Sequence, residues 1–463
     1  MSAAGPLQGT KGAPSGGSAA ASAASVGGSP MSAAGPFQGT KGAPSGGSAA
    51  ASAASVGGTP MSVATKPLEG VTVLDLSNVL AGPFACYQLA CLGARVIKVE
   101  SPEGDLARRL GADAAYAHAG MGISFLAANA GKESIAIDLK THDGKAVLER
   151  LAERADALVE NFRPGVMERL GLGHEALRAR NPALVYCAIS GFGQDGPLAQ
   201  RPAYDQIIQG LSGVMSVTGD ERSAPLRVGY PVCDTIGGLT AAFAVCAALL
   251  RAKATGEGAF LDVSMLDATL ATMGWVVSNY LNGGVVPRPI GNDNFTAAPS
   301  GTFRTGNGLL NIAANEDRQF EALCRVLGAP DLATDARFAE REARKRHRAE
   351  LTACLEPLLA SRSAADWEPI LEAAGVPAGG VLGLPEILAH PHVAEGGLLA
   401  TFRDVPGAPR DVHVTLPGFR IDGARPGPAT RPPTPSEQRD QILEEAGYDA
   451  AARRALIDAG AVR

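Results

Sequence analysis

Several things this chain has little of narrow what it can be. The seven cysteines, at 86, 91, 187, 233, 246, 324 and 354, form no C-x-x-C pair. A chain of this length without such spacing carries no disulfide framework, and a reducing, cytoplasmic compartment is expected. The seven histidines are scattered. Only His390 and His392 come close, and Pro391 between them makes that a loop without helical i, i+4 spacing, so no metal is expected. The net charge of −6 gives no general attraction to nucleic acid. The longest apolar stretch, residues 239–250, is too short to span a bilayer and reads as a buried helix. With 46% apolar and 19% charged residues in 463, the chain is long enough for two or more domains and a sizeable core.

Residues 1–30 and 31–60 are tandem copies that differ only at Leu7/Phe37 and Ser29/Thr59. Dominated by Ala, Ser and Gly, they have little to bury against the entropy of ordering, and disorder is expected. They lack a signal peptide's apolar core and a transit peptide's arginines. An in-frame duplication ahead of a core that starts near Met61 is the reading.

From Pro67 the texture becomes β-rich runs alternating with helices. Strands are expected at 71–76, 95–100, 134–138, 157–161 and 184–190, and helices at 84–92 and 143–155, with Gly82-Pro83 as a turn. This alternation predicts an α/β fold with a largely parallel, doubly wound sheet over 61–284. The Gly-, Pro- and Asn-rich stretch and charged helices of 285–390 read as a second, smaller domain. Residues 391–463 then return to the large one, with a strand, a Pro-rich stretch and a final helical region.

Asp234 is the only charge between Arg227 and Arg251, at the head of a small, apolar helix. The helix's first amides suit it as an ordinary N-cap that keeps it ionised; the sharper reading is an acyl-accepting nucleophile. Adjacent Cys233 reads as a buried structural thiol. Gly191-Phe-Gly-Gln-Asp-Gly196 matches a dinucleotide fingerprint, but Pro197 opposes a helix opening there, so a glycine-rich turn is expected rather than an NAD site. Asn161 and Phe162 end a strand, with Arg169 close behind and Lys140 on the same sheet rim. Together they suit a purine and phosphates, although a surface Arg is ordinarily just solvated. Asp205, after Tyr204, is either a helix cap or a second functional acid.

These segments together resemble the family III CoA-transferases, the group that includes formyl-CoA transferase and carnitine CoA-transferase. The resemblance rests on Leu74-Asp-Leu-Ser-Asn-Val-Leu-Ala-Gly-Pro83, Leu92-Gly-Ala-Arg-Val-Ile-Lys-Val-Glu100 and Lys132-Glu-Ser-Ile-Ala-Ile-Asp-Leu-Lys140. It continues through Glu160-Asn-Phe with Arg169, Ser190-Gly-Phe-Gly-Gln, Tyr204-Asp205 and Asp234, and spans residues 67–463. It implies that Asp234 is the nucleophile and that Val79, Ile137, Lys140, Asn161, Phe162 and Arg169 contact CoA. Asp205, with Tyr204 beside it, would support catalysis. It also implies a Rossmann-like large domain, a small domain, and two chains interlocked as a homodimer, with an acyl-CoA and a small carboxylic acid as the only partners and no permanent cofactor.

The chemistry agrees. Moving CoA between carboxylates must conserve the thioester's free energy, and a carboxylate carrier does so through a mixed anhydride and an aspartyl-CoA thioester. Gly237 and Gly238 would leave room there for the acyl group and its oxyanion donors. Leu80, where formyl-CoA transferase has glutamine, and Ser101, where it has a CoA-binding arginine, argue against formyl or oxalate, and succinyl-CoA with dicarboxylates is expected. The same fold hosts α-methylacyl-CoA racemases, but their histidine base is replaced here by Tyr204, a poor base at neutral pH. A non-catalytic acyl-CoA-binding protein is the remaining alternative.

Overall fold

The computed structural model describes residues 66–463. The tandem copies, with the disorder and duplication expected of them, lie outside the described residues.

Six short strands, β1 (Thr72–Asp75), β2 (Arg95–Glu100), β3 (Lys132–Ala136), β4 (Ala157–Glu160), β5 (Val185–Ser190) and β6 (Phe260–Ser264), form one sheet in the order β3-β2-β1-β4-β5-β6. Every pairing in it is parallel. Parallel strands need both faces covered, so alternate residues on each strand go to opposite cores. Val73, Val159 and Val185 meet Ala85 and Leu89 of α1 (Ala81–Cys91). Leu74, Ile97 and Leu158 meet Val147, Leu148 and Leu151 of α2 (His142–Ala152) on the other face.

Two helices differ from expectation. Gly82-Pro83 is no turn: both lie in the first turn of α1, where proline has no helical N–H to lose. Gly82 is there because Ser77 lies so close that a Cβ would fall 2.2 Å from the Ser77 Cβ. The helix carrying Asp234 runs beyond the apolar stretch 239–250 at both ends, as α4 (Val232–Thr255), long and apolar enough to cross a membrane by length and composition alone. Here its small residues serve close packing. Ala241, Val245 and Leu249 join the core beside α1, and a Cβ on Gly238 would fall 2.5 Å from the Ala81 carbonyl oxygen. Gly237 faces Met265 of α5 (Met265–Thr272) in the same way, so the two glycines admit neighbouring helices rather than an acyl group.

Beyond α6 (Gly274–Gly283), an antiparallel sheet of β7 (Ser300–Arg304), β8 (Leu309–Ala313) and β9 (Ala378–Gly380) has its own core. Leu310 and Ile312 meet Phe320 and Leu323 of α7 (Asp317–Val326), Leu355 of α8 (Arg348–Leu359) and Trp367 of α9 (Ala364–Ala373). The chain's end returns to the first sheet. Ile442, Leu456 and Val462 join the core beside α2, and the Ser134 amide donates to Gln438 Oε1 at 2.8 Å.

Candidate active site

The strand order reverses between β1 and β4, where open α/β sheets leave a crevice at the carboxyl ends of their strands. Asn78 and Asn161 meet there. The Asn78 amide donates to Asn161 Oδ1 at 2.8 Å, and Asn161 Nδ2 donates to the Asn78 carbonyl at 2.9 Å. Asn161, expected to contact CoA, thus also ties the two strand ends together.

A cavity of about 380 Å³ opens on one side of this junction. Its lining includes Asp234, Tyr204, Val79 and Asn161 from the expected set, together with Leu80, Ala81, Ser190, Gly191 and Arg109. A second hollow of about 380 Å³ adjoins it through Asn78, Ser101 and Glu103, and holds Ile137, Lys140 and Phe162. Seven of the nine expected residues therefore line two adjoining hollows along the strand ends. Arg169 lies outside both hollows, exposed, with its guanidinium over Gly165. Asp205 lies behind the first, its side chain buried.

Asp234 does not cap its helix. Pro231 holds the cap position, its carbonyl accepts the Thr235 amide at 3.1 Å, and Asp234 is the third helical residue. The cap comes from elsewhere. Asp205, expected to cap the helix begun at Gln206, is itself the first residue of α3 (Asp205–Leu211) and caps nothing there. Its Oδ1 accepts the Cys233 amide at 2.9 Å, in the first turn of α4, and its Oδ2 takes Gln209 Nε2 at 2.7 Å and Arg227 at 3.4 Å. Asp234 is left with no hydrogen-bond donor among the described residues. Burial, and then the charge of Asp205, push its carboxyl up to about 7. The expectation that the helix N-terminus alone keeps it fully ionised is corrected on this point, since desolvation opposes the dipole.

A carboxylate without hydrogen bonds, half-protonated near neutrality and facing a cavity, is more nucleophilic than a solvated one. Leu80 and Ala81 line the same cavity at the start of α1, where no side chain caps the helix and first-turn amides have no helical acceptors. No histidine lines it. Gly191–Gly196 is a turn and opens no helix, so no pyrophosphate-binding helix end exists there. Among the described residues no group of three or more His, Cys, Asp or Glu is placed to hold a metal.

Sequence reasoning missed a buried polar cluster under the Asn78 loop. Lys132 Nζ sits 2.7 Å from Asp75, and Lys98 Nζ sits 3.0 Å from Asp105 and 3.9 Å from Asp75. Burial alone would raise the Asp75 carboxyl, but Lys132 and Lys98 bring it down to about 2. The signal was the lysine in Arg95-Val-Ile-Lys-Val-Glu100, a charge in a strand buried on both faces. Asp75, inside the strand expected at 71–76, carried the same mark, and Asp105 carried none.

The chain matches the family model described as CoA-transferase family III over residues 68–439. It is 40% identical to an acetyl-CoA:oxalate CoA-transferase of Acetobacter aceti over 78% of this chain and 92% of that one. To a succinate–glutarate CoA-transferase of Agrobacterium fabrum it is 38% identical over 82% and 95%. A crystal structure of a CAIB/BAIF family protein from Brucella suis covers 82% of this chain and all of its own, at 35% identity and a TM-score of 0.73.

Proposed function

Because the chain belongs to CoA-transferase family III and moves CoA from an acyl-CoA to a carboxylic acid, we propose that Asp234 carries the acyl group and that succinyl-CoA and a short dicarboxylate are the substrates. The observation that supports this most is the placement of Asp234, without hydrogen bonds among the described residues, in a cavity that adjoins the hollow of Ile137, Lys140 and Phe162.

CoA lies along these two hollows, with its phosphates toward Lys140 and its thioester at Asp234. Phe162 offers the adenine an apolar face, and Val79 and Asn161 flank the pantetheine arm. An Asp234 carboxylate oxygen attacks the thioester carbonyl, the C–S bond breaks, and a mixed anhydride and CoA thiolate result. The thiolate attacks the aspartyl carbonyl and releases the donor acid, leaving aspartyl-CoA thioester. The acceptor carboxylate attacks that carbonyl, expelling thiolate and forming a second anhydride. Attack by the thiolate on the acceptor's carbonyl yields the new acyl-CoA and frees Asp234. Each step moves charge onto a carbonyl oxygen, and the Leu80 and Ala81 amides are the donors that meet it.

Two points favour a dicarboxylate. Both relatives are named for such acids, one of them for oxalate, which Leu80 and Ser101 were expected to disfavour, and among the described residues Arg109 is the only cation lining the Asp234 cavity. Arg169 contributes at the rim, once CoA is bound.

A second copy of the chain completes the protein. Along α4 and α6, Phe243 is 77%, Leu250 74%, Trp275 64% and Leu281 71% exposed, large apolar side chains of the kind that partner surfaces cover. An interlocked homodimer of Rossmann-like large and small domains covers them, and a dimer mass by light scattering is the expected result.

Mass spectrometry of acyl-CoA products tests the chemistry. The full chain is mixed with succinyl-CoA and glutarate, oxalate or acetate, with Asp234→Ala alongside. New acyl-CoA masses that vanish in the variant are expected; full transfer by Asp234→Ala would remove it as the carrier.

A further inference from the structure

The loop that follows β1 contains a strained residue. Val79 has φ of 66°, a left-handed conformation that a β-branched side chain rarely adopts and that persists only where the surroundings impose it. They do so here through four side chains. The Ser77 amide donates to Asp75 Oδ1 at 3.0 Å, and the Ser77 carbonyl accepts from Lys98 Nζ at 2.8 Å. Asn161 holds both polar groups of Asn78. The Val79 amide donates to Asp105 Oδ1 at 3.0 Å.

Asp105 is fully buried, and its own position is fixed. Its amide donates to Glu100 Oε2 at 2.9 Å, Oδ1 also accepts the Ala107 amide at 2.9 Å, and Oδ2 lies 3.0 Å from Lys98 Nζ. A buried ion pair is a poor way to gain stability, since apolar residues of similar volume do as well. What this pair adds is geometry: Lys98 and Asp105 grip the two ends of residues 77–79, immediately before Leu80 and Ala81, which line the cavity.

We propose that Asp105 is a positioning residue for CoA transfer: by accepting the Val79 amide hydrogen it imposes the left-handed turn that carries Leu80 and Ala81 into the cavity of Asp234. This rests on the reading of that cavity as the active site.

The test compares the full-length wild type with Asp105→Asn, which keeps an acceptor oxygen, Asp105→Ala, which does not, and the double variant Val79→Gly/Asp105→Ala. Glycine enters the left-handed region without a clamp. Amide exchange by mass spectrometry follows a peptide spanning residues 77–81. Steady-state kinetics use succinyl-CoA with glutarate, oxalate or acetate. In Asp105→Ala, exchange across 77–81 rises and kcat falls by about 10- to 100-fold, the scale of a 1 Å misplacement, while KM for succinyl-CoA changes little. Asp105→Asn retains most of kcat, and Val79→Gly in the alanine background recovers part of what was lost. If Asp105→Ala folds poorly, recovery of soluble, active enzyme by the added glycine supports the proposal in the same way. Unchanged exchange over 77–81, or losses that Val79→Gly fails to relieve, overturn it. Asp234→Ala is run in parallel: activity surviving there defeats the reading of the site, whereas activity lost there but kept in Asp105→Ala defeats only the clamp.

Discussion

Asp205 accepts the amide hydrogen of Cys233 at 2.9 Å, so the first residue of one helix caps the first turn of another, 28 residues further along the chain. The cap sets a second carboxylate near Asp234, and like charge opposes ionisation. With the Asp234 carboxyl up at about 7, through burial and then Asp205, the proposed nucleophile is protonated below neutrality and ionised above it. The acid limb of kcat/KM, which reports the free enzyme, is therefore expected near pH 7. Asp205→Asn keeps an oxygen for Cys233 but removes the charge, so it moves that limb to lower pH. A pH–rate profile of the two proteins checks this; an unmoved limb would assign the titration to another group.

The same elevation carries a stability cost with a definite sign. In the unfolded chain an aspartate ionises near pH 4, whereas folded Asp234 does so at about 7. Between those values the unfolded state releases a proton that the folded state keeps, so Asp234 lowers stability as pH rises from about 4 to 7, and the loss then levels off. Its ceiling is about 4 kcal/mol, at roughly 1.4 kcal/mol per pH unit, and solvent screening reduces it. Asp234→Asn is expected to be inactive yet more stable than wild type at pH 8, with the difference shrinking toward pH 4. Denaturant titrations at the two pH values measure it.

How much of this was legible in the sequence depends on how local each feature is. The strand at 95–100 was read to the residue because its apolar run is closed by turn residues on both sides. The helix at 81 was read late, because Gly82-Pro83 has the composition of a turn, and only the approach of Ser77 explains the glycine. Asp234 stood out as a lone charge in an apolar run, and its cavity then gathered Tyr204, Val79 and Asn161 as the resemblance implied. The cap on Cys233 and the clamp on Val79 were not legible. Asp205 opens a short helix and Asp105 precedes a short helical segment, and a local reading assigns such residues to that segment, as Asp105 indeed does for Ala107. Their partners 28 and 26 residues away are set by helix and strand packing that no short window contains.

The packing of α4 on α1 supplies a prediction of its own. A Cβ at Gly238 would lie 2.5 Å from the Ala81 carbonyl oxygen, and backbone cannot rotate away as a side chain can. Gly238→Ala is expected to cost about 1–3 kcal/mol, the range for an overpacked core. Because Ala81 also lines the cavity, kcat should fall in the fraction that folds. Gly274→Ala, where nothing lies within 4 Å of the added carbon, should leave the melting temperature unchanged or raise it. Thermal melts of the pair separate the steric effect from the general cost of losing a glycine.

Under the proposed function Arg109 has a role in choosing between kinds of acceptor, and that role can be tested. It lines the Asp234 cavity, is exposed, and its one hydrogen bond is a long one, 3.4 Å from Nη1 to the Glu103 carbonyl oxygen. A guanidinium so lightly engaged can turn to a carboxylate in a bidentate pair. A dicarboxylic acceptor presents one carboxylate to the aspartyl thioester and needs a cation for the other, whereas a monocarboxylate of similar length needs none. Arg109→Leu is expected to raise KM for glutarate by about tenfold or more, the loss of one charged hydrogen bond of roughly 1.5–3 kcal/mol. KM for butyrate should stay the same or fall, because leucine removes a charge that an alkyl chain does not use. Initial rates with the two acids, at a fixed succinyl-CoA concentration, give the comparison directly. An equal rise for both would place Arg109 on CoA, and no rise for either would leave the distal carboxylate to a residue contributed by the second chain.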